Sequence, residues 1–452
     1  MLKKMKKLTT IILALLSSTI LFSQTTFTLQ QCKDLALKNN VILKNSALEI
    51  EAAEHVKKNA FTNYFPKVSV TGLGMYAIDP LLNMNMAGGD LPVYNGNPAN
   101  LPTATQFAYM PDVSIGLFEK MGLGLVSVTQ PIYVGGKIVN GNKLAKINVE
   151  VKNQLQKMTT NEVLIKTEQQ YWQLISIQEK QKTLDQYNEL LKDIAKQVND
   201  AYKSGLVIKN DVLKVKLKQS ELQINQNKLN NGKKLALMQF CQTIGILYDS
   251  TLVMQDDLQT IETPNTYFVM NDSVLMDRSE YQLLNQSIKA AKLQTKMKRG
   301  DYLPQLAVGV DGYYNDPLTE GVDGVTNGFA FATLSIPISD WWGGHHAIKE
   351  LKIREQIAEN TFNDTKDLLN LQMEKAWIDV NEAYQQVLII EEMVIQSDEN
   401  LKVNEDSYNN GVVTLSNLLE AQALKVAAAD KLIEAKTQYR LAISNYLQVT
   451  AR

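Results

Sequence analysis

The feature that most constrains this fold is a turn sequence that occurs twice, each time between two long helical patterns. Tyr202-Lys203-Ser204-Gly205 forms the first copy and Tyr408-Asn409-Asn410-Gly411 the second. In both, the glycine stands where one apolar-periodic pattern ends and another begins, which is typical of a helical hairpin. Because this hairpin tip is found twice, we predict that the whole chain is a duplication.

The first predicted repeat covers residues 24–245 of the 452-residue chain. Apolar residues at three-to-four spacing predict helices, and strict alternation predicts strands. The predicted order is a helix at 28–62, strands near 66–76 and 117–133 around a loop at 77–112, a long helix at 137–203, a tip near 202–211 and a returning helix at 210–243.

The second predicted repeat covers residues 273–452, after a linker at 246–272 that has a short strand or helix at mid-length. Asp301-Tyr302-Leu303-Pro304 repeats Asn63-Tyr64-Phe65-Pro66 just before the strands begin. The predicted order is a helix at 273–300, strands near 304–314 and 328–338, a long helix at 345–409, a tip near 408–420 and a returning helix that ends near 448.

The long helices carry heptad-like seams, with steps of three and four residues. A helix over residues 137–203 would be roughly 100 Å long, at ~1.5 Å per residue, which is far longer than the diameter of a compact domain. In the first long helix the seam residues are Leu184, Tyr187, Leu191, Ile194, Val198 and Ala201. We therefore predict extended helical hairpins that pack as coiled coils.

The first 23 residues have the pattern of a secretory signal peptide. Lys3, Lys4, Lys6 and Lys7 precede an apolar run at 8–22, and the small Ser23 follows it. The run is shorter than the ~20 apolar residues that a membrane-spanning helix needs, so we predict export and cleavage after Ser23.

Four predicted strands of about ten residues have the length that a membrane β-strand needs. Four strands cannot close a transmembrane barrel, since about eight is the smallest number known, and lipid does not tolerate an open sheet edge. The chain should therefore oligomerise, and a trimer would supply twelve strands. The fold class we predict is an α+β membrane protein with a trimeric twelve-stranded barrel and a long helical barrel.

The layout resembles the TolC-like outer-membrane efflux proteins of Gram-negative bacteria over residues 28–449. The matching segments are Phe65-Pro66 and Leu303-Pro304 before strands, Gln130-Pro131 through Gly135-Gly136 and Ile336-Pro337 through Gly343-Gly344 after them, and Leu418-Leu419-Glu420-Ala421-Gln422 after the second tip. The resemblance implies a homotrimer in the bacterial outer membrane, with its helical tunnel in the periplasm. It also implies a periplasmic adaptor protein and an inner-membrane transporter as partners, and outer-membrane lipid around the barrel.

The same resemblance implies a gate at the tips. In the family, acidic residues after the tip glycine line the constriction, and here Asn417, Glu420 and Asp211 fall on those positions. Tyr408 matches the family's tyrosine partner of the first-tip acid, so we expect a Tyr408–Asp211 hydrogen bond. The family's tip arginine is replaced by Val413, so one ionic contact is missing. From spacing alone, a solvated helix face is the better explanation of these residues.

The turn residues themselves are apolar, which predicts either a partner or local packing at the tips. The candidate adaptor contacts are Gly205, Leu206, Val207, Gly411, Val412 and Val413.

Cys32 and Cys241 are the only cysteines. The sequence leaves open whether they form a disulfide in an oxidising compartment or remain two buried thiols.

No enzyme or cofactor motif is present, and the formal charge of −2 gives no reason to expect nucleic-acid binding. We predict a passive duct that conducts substrates from a pump and adaptor to the exterior, by efflux or type I secretion. The alternative is a non-transporting coiled-coil structural or surface protein. The cargo and the class of pump stay open.

Overall fold

The computed structural model describes residues 26–117, 119–259, 261–318 and 321–452. The predicted signal peptide at 1–23 lies outside the described residues. The chain divides into two compact units. A helical unit holds the described residues up to Glu54 with 148–288 and 357–452, and a sheet unit holds 55–147 and 289–356.

The described part of the chain contains two very long helices among shorter helices and strands. The helices are α1 (Leu29–Asn39), α2 (Val41–Thr62), α3 (Lys137–Lys203), α4 (Lys209–Ile244), α5 (Asn271–Val274), α6 (Ser279–Gly300), α7 (Trp341–Asn409) and α8 (Leu415–Val449). The strands are β1 (Thr26–Phe27), β2 (Lys67–Tyr76), β3 (Leu82–Met86), β4 (Gly89–Pro92), β5 (Phe107–Met110), β6 (Val113–Leu117), β7 (Lys120–Val134), β8 (Val253–Met254), β9 (Gln305–Asp316) and β10 (Val325–Ser335).

The long helices bury the seams that their heptad steps predict. Leu191, Ile194 and Val198 on α3 are buried, and so is the run Leu369, Met373, Ala376, Val380, Ala383 and Val387 on α7. Burying a Leu or Val side chain stabilises a fold by ~1.5–3 kcal/mol, so the seams supply the packing energy of the hairpins.

The first helix differs from the prediction, because it breaks at Asn40 into α1 and α2. The Asn40 backbone is extended there, with φ −60° and ψ 128°. Its amide Nδ2 donates to the carbonyl of Thr243 at 2.8 Å, and its Oδ1 accepts from the backbone N–H of Ile42 at 2.8 Å. The side chain of Asn40 thus caps the start of α2 and links the break to the end of α4.

The segment at 246–272 is anchored in the helical unit by partly buried polar contacts. β8 pairs in parallel with β1. The Asp256 carboxylate accepts from the hydroxyl of Tyr171 at 2.7 Å and from the backbone N–H of Leu29 at 3.2 Å. Burial, followed by the Asp256 hydrogen bond, raises the pKa of Tyr171. These contacts tie the start of α1 and the segment at 246–272 to α3.

The sheet unit is built on four antiparallel strands in the order β10-β9-β7-β2. β2 pairs with β7 from Lys67↔Thr129 to Tyr76↔Lys120, and β9 pairs with β10 from Gln305↔Ser335 to Asn315↔Val325. β7 and β9 join the two hairpins at the centre. The outer edges of β2 and β10 have no partner within the described chain.

The two faces of this sheet differ in chemistry, because side chains alternate along each strand. By register, one face carries Val68, Val70, Val126, Val128, Val310 and Ala330. The other, the polar face, carries Ser69, Thr71, Ser127, Thr129, Asp311 and Asn315 together with Leu73, Leu123, Leu125, Phe329 and Phe331. The valine face is not a core, since Val70 is 77% exposed.

About a third of the predicted loop at 77–112 forms β-ribbon, which corrects the prediction. β3 pairs with β6, and β4 pairs with β5 beyond them. The side chains of Asn85 and Ser114 are hydrogen-bonded across the first ribbon at 2.7 Å. Asparagine and methionine are weak strand signals, so periodicity alone did not mark these short strands.

Two helix starts also differ from the prediction. α7 begins at Trp341 instead of 345, so Gly343 and Gly344 lie inside its first turn. α6 begins at Ser279 instead of 273, after the single-turn helix α5 and a 3₁₀ turn at Leu275–Asp277. Among the described helices, none is both long enough and apolar enough to cross a membrane.

Candidate functional site

Both hairpin tips of the helical unit are closed by the same backbone turn. At the first, the N–H of Leu206 donates to Ala201 at 2.9 Å and that of Gly205 to Tyr202 at 3.0 Å. At the second, the N–H of Val412 donates to Ser407 at 2.8 Å and that of Gly411 to Tyr408 at 2.9 Å. This pattern is the Schellman motif, whose glycine takes the left-handed conformation.

The two tip glycines have nearly identical backbone angles. Gly205 has φ +73° and Gly411 has φ +74°. No neighbouring atom lies within 4 Å of a Cβ built at either position. Glycine is therefore favoured at the tips by backbone conformation alone, and not by crowding.

The apolar turn residues point away from the packed core. Leu206 is 79% exposed and Val412 is 76% exposed, and Ile208 is exposed too. Val207 differs, because it packs against the core cluster beneath the tips. Of the apolar side chains among the predicted contact residues, those of Leu206 and Val412 are thus available to a partner.

All four long helices contribute to the core cluster beneath the tips. Its buried members are Leu191, Ile194 and Val198 from α3, Val215 and Leu222 from α4, Leu401 from α7, and Leu415, Leu418, Leu419 and Ala421 from α8. The ammonium of Lys214 on α4 also donates to the hydroxyl of Ser416 on α8 at 2.7 Å. The two hairpin ends therefore pack as one body within this unit.

Asp211 and Tyr408 are not hydrogen-bonded to each other. Asp211 lies in the first turn of α4 and pairs with Lys214 at 3.6 Å. Tyr408 is packed against the core cluster, and burial followed by the charge of Asp211 raises its pKa. The expected hydrogen bond is absent within the described chain, where the carboxylate pairs with Lys214 instead.

Asn417 and Glu420 have different surroundings on α8. The Oδ1 of Asn417 accepts from the backbone N–H of Thr414 at 3.3 Å and from its hydroxyl at 2.5 Å, so this amide caps the helix start. Glu420 is exposed and has no salt-bridge partner among the described residues. Glu420 is therefore the more available of the two for a new contact.

Sequence reasoning missed Gln422 as a candidate functional residue. It is 1% exposed, and neither polar atom of its amide has a hydrogen-bond partner among the described residues. It lines a cavity of about 390 Å³ between α3, α7 and α8, together with Tyr187 and Lys425. The heptad pattern predicts that a side chain at this position faces the seam, but it does not show whether a buried amide finds hydrogen-bond partners there.

The two cysteines are buried free thiols in the structure, and no disulfide joins them. Cys32 on α1 belongs to the core cluster around Tyr171 and Phe240, and Cys241 on α4 is equally buried. Burial, followed by the charges of Asp256 and Cys241, raises the pKa of Cys32 to about 12. In the described part of the chain, no group of three or more His, Cys, Asp or Glu side chains could hold a metal ion.

The fold is that of solved outer-membrane channels. The match to the outer-membrane channel OprN covers 93% of this chain and 89% of the OprN chain, with TM-score 0.75 and 13% sequence identity. The match to the CmeC outer membrane channel of Campylobacter jejuni covers 93% of this chain and 85% of the CmeC chain, with TM-score 0.72 and 16% identity. The match to the MtrE outer membrane channel of Neisseria gonorrhoeae, solved in its open state, covers 93% of this chain and 88% of the MtrE chain, with TM-score 0.72 and 12% identity.

The sequence itself carries a family signature in the second half of the chain. Residues 274–448 match the model of the outer membrane efflux protein family. No curated protein sequence matches the chain. The resemblance to TolC-like outer-membrane efflux proteins is thus confirmed, in fold over most of the chain and in sequence over 274–448.

Proposed function

We propose that this protein is an outer-membrane channel that passively conducts substrates outward from an inner-membrane transporter and a periplasmic adaptor. The observation that carries the proposal is the exposed valine face on a four-stranded sheet with two unpaired edges. Exposed valine surface needs an apolar surrounding, and strands of 10 to 15 residues are long enough to cross a bilayer. A non-transporting coiled coil would not need such a sheet.

The edges of β2 and β10 call for further copies of the chain, because lipid does not tolerate unpaired backbone groups. Three copies would place twelve strands in one barrel, with the valine face toward lipid and the polar face toward the pore. Under this proposal the two halves of the chain are repeats, at 24–245 and 273–452. The long helices would then form the periplasmic tunnel, with the segment at 246–272 at mid-length.

This proposal is tested with protein extracted from membranes in mild detergent. We expect a trimer by light scattering, and discrete single-channel currents after insertion into a planar lipid bilayer. A monomer that stays in solution without detergent and gives no current would refute the proposal.

The tips are proposed to be the adaptor-facing end, since Leu206 and Val412 are exposed apolar residues at the turns. Val412→Asp should abolish co-purification of the adaptor from native membranes, because a carboxylate would have to be buried in the contact. The matched control is Leu247→Asp, since Leu247 is 92% exposed outside the tips. Equal adaptor recovery with both variants would contradict the tip assignment.

Asp211, Tyr408, Asn417 and Glu420 are proposed to line a gate that is held by few polar contacts. Three features motivate this: Val413 stands at the family's arginine position, Asp211 pairs with Lys214, and Asn417 caps its own helix. Such a gate predicts a high single-channel conductance for the wild type. A low single-channel conductance of the wild type would contradict it.

A further inference from the structure

One carboxylate stands alone on the polar face of the sheet. Within β2, β7, β9 and β10, Asp311 is the only charged residue away from a strand end. The hydroxyl of Ser127 donates to its Oδ1 at 2.5 Å. No Lys or Arg in the described chain forms an ion pair with Asp311, so a hydrogen bond from Ser127 is its side-chain contact there.

Two aromatic rings lie next to this carboxylate on the same face. Asp311 pairs directly with Phe329 in the register of β9 and β10, and Gly309 pairs with Phe331. The centroids of the two phenylalanine rings are 6.1 Å apart. Directly opposed side chains in an antiparallel pair have Cβ atoms about 5 Å apart, so Phe329 and Asp311 are neighbours.

Gly309 sets the position of the second ring. A Cβ built on Gly309 would come within 2.4 Å of Cζ of Phe331, so the ring lies across the glycine and against the sheet. Phe329 is 52% exposed and offers its ring to solvent on this face. The rings therefore form an aromatic surface beside an unpaired carboxylate.

This combination is the chemistry that recognises organic cations. A positive charge is attracted both to a carboxylate and to the face of an aromatic ring within about 6 Å, and the apolar body of an organic cation covers the ring. Small hydrated metal ions need several oxygen ligands instead. We propose that Asp311, Phe329 and Phe331 form a binding site for lipophilic organic cations. Its place on a transport route rests on the proposed function, in which this face lines the pore.

The test uses tetraphenylphosphonium as the cation and triphenylphosphine oxide as a neutral compound of similar shape. Both are added to wild-type channels in a planar bilayer. We expect the cation to reduce the current and the neutral compound to have little effect. Asp311→Asn and Phe329→Leu should each raise the half-blocking concentration by about two- to fivefold, the range expected for one exposed cation–π or ionic contact.

The matched control is Asp323→Asn, which removes an exposed carboxylate from the turn between β9 and β10. This variant should retain wild-type block. Equal block of the Asp311→Asn and Asp323→Asn channels, or equal block by the neutral compound, would overturn the site while leaving the channel function intact.

Equilibrium dialysis of the detergent-purified protein against tetraphenylphosphonium, with empty micelles as blank, separates the two proposals. If Asp311→Asn retains less tetraphenylphosphonium than the wild type does, the binding site is supported even when no channel conducts current. In that case only the proposed channel function is refuted. Retention that is equal in the wild type and Asp311→Asn overturns the site.

Discussion

Replacing Gly411 with alanine should loosen the second hairpin tip through backbone conformation alone. Gly411 has φ +74°, and no heavy atom lies within 4 Å of an added Cβ. The penalty is therefore that of a non-glycine residue in the left-handed region, about 1–2 kcal/mol. At 1.4 kcal/mol per factor of ten, this corresponds to roughly a 5- to 30-fold larger population of the opened tip.

The measurement is hydrogen–deuterium exchange by mass spectrometry on peptides that span the turn. The reporting amides are Gly411, bonded to Tyr408 at 2.9 Å, and Val412, bonded to Ser407 at 2.8 Å. Their exchange should accelerate about 5- to 30-fold in Gly411→Ala, in line with the opened population. The twin variant Gly205→Ala should have the same effect at the first tip, because its φ is +73°.

Two matched variants make this prediction specific. Gly411→Asn should have a smaller effect than Gly411→Ala, since asparagine tolerates the left-handed region better. Gly232 lies inside α4, and a Cβ added there also has no heavy atom within 4 Å. Gly232→Ala should slow local exchange, because alanine stabilises a helix interior by about 1 kcal/mol relative to glycine. Unchanged tip exchange in Gly411→Ala, or equal acceleration by asparagine, would refute the reasoning.

Two further predictions concern buried groups of the helical unit. Arg278 is buried and pairs with Glu280 at 3.0 Å; burial alone would raise the pKa of Glu280, but the arginine bonds outweigh it and the pKa is lowered. A lowered carboxyl pKa contributes stability that is present above the unfolded pKa near 4.5 and is lost as the pH falls through the folded pKa. Glu280→Gln should therefore flatten the acid side of a plot of melting temperature against pH. An unchanged profile would argue against a stabilising Arg278–Glu280 pair. The second prediction concerns the thiols. A pKa of about 12 leaves Cys32 almost fully protonated at pH 8, and Cys241 is equally buried, so neither should react with a maleimide in the native protein. In the unfolded protein both should react. Fewer than two reactive thiols after unfolding without reductant would instead indicate a disulfide.

The sequence by itself determined the elements whose signals are local. The seam of α3 and the ends of β2 follow from periods of three to four and of two, which the side chains must obey wherever the element packs. The tip glycines were equally visible, because a left-handed residue between two helices selects glycine whatever surrounds it. The predicted order of these elements was enough to identify the family resemblance.

The tertiary structure decided what depends on a partner far away in the chain. The helix break at Asn40 rests on a bond to Thr243, and the partner of Asp211 proved to be Lys214 instead of Tyr408. The cross-strand meeting of Asp311 with Phe329 depends on the register of β9 and β10, and the unpaired amide of Gln422 depends on the packing of three helices. Periodicity tells which face of an element is apolar, but register and packing determine which side chain is opposite each residue on that face.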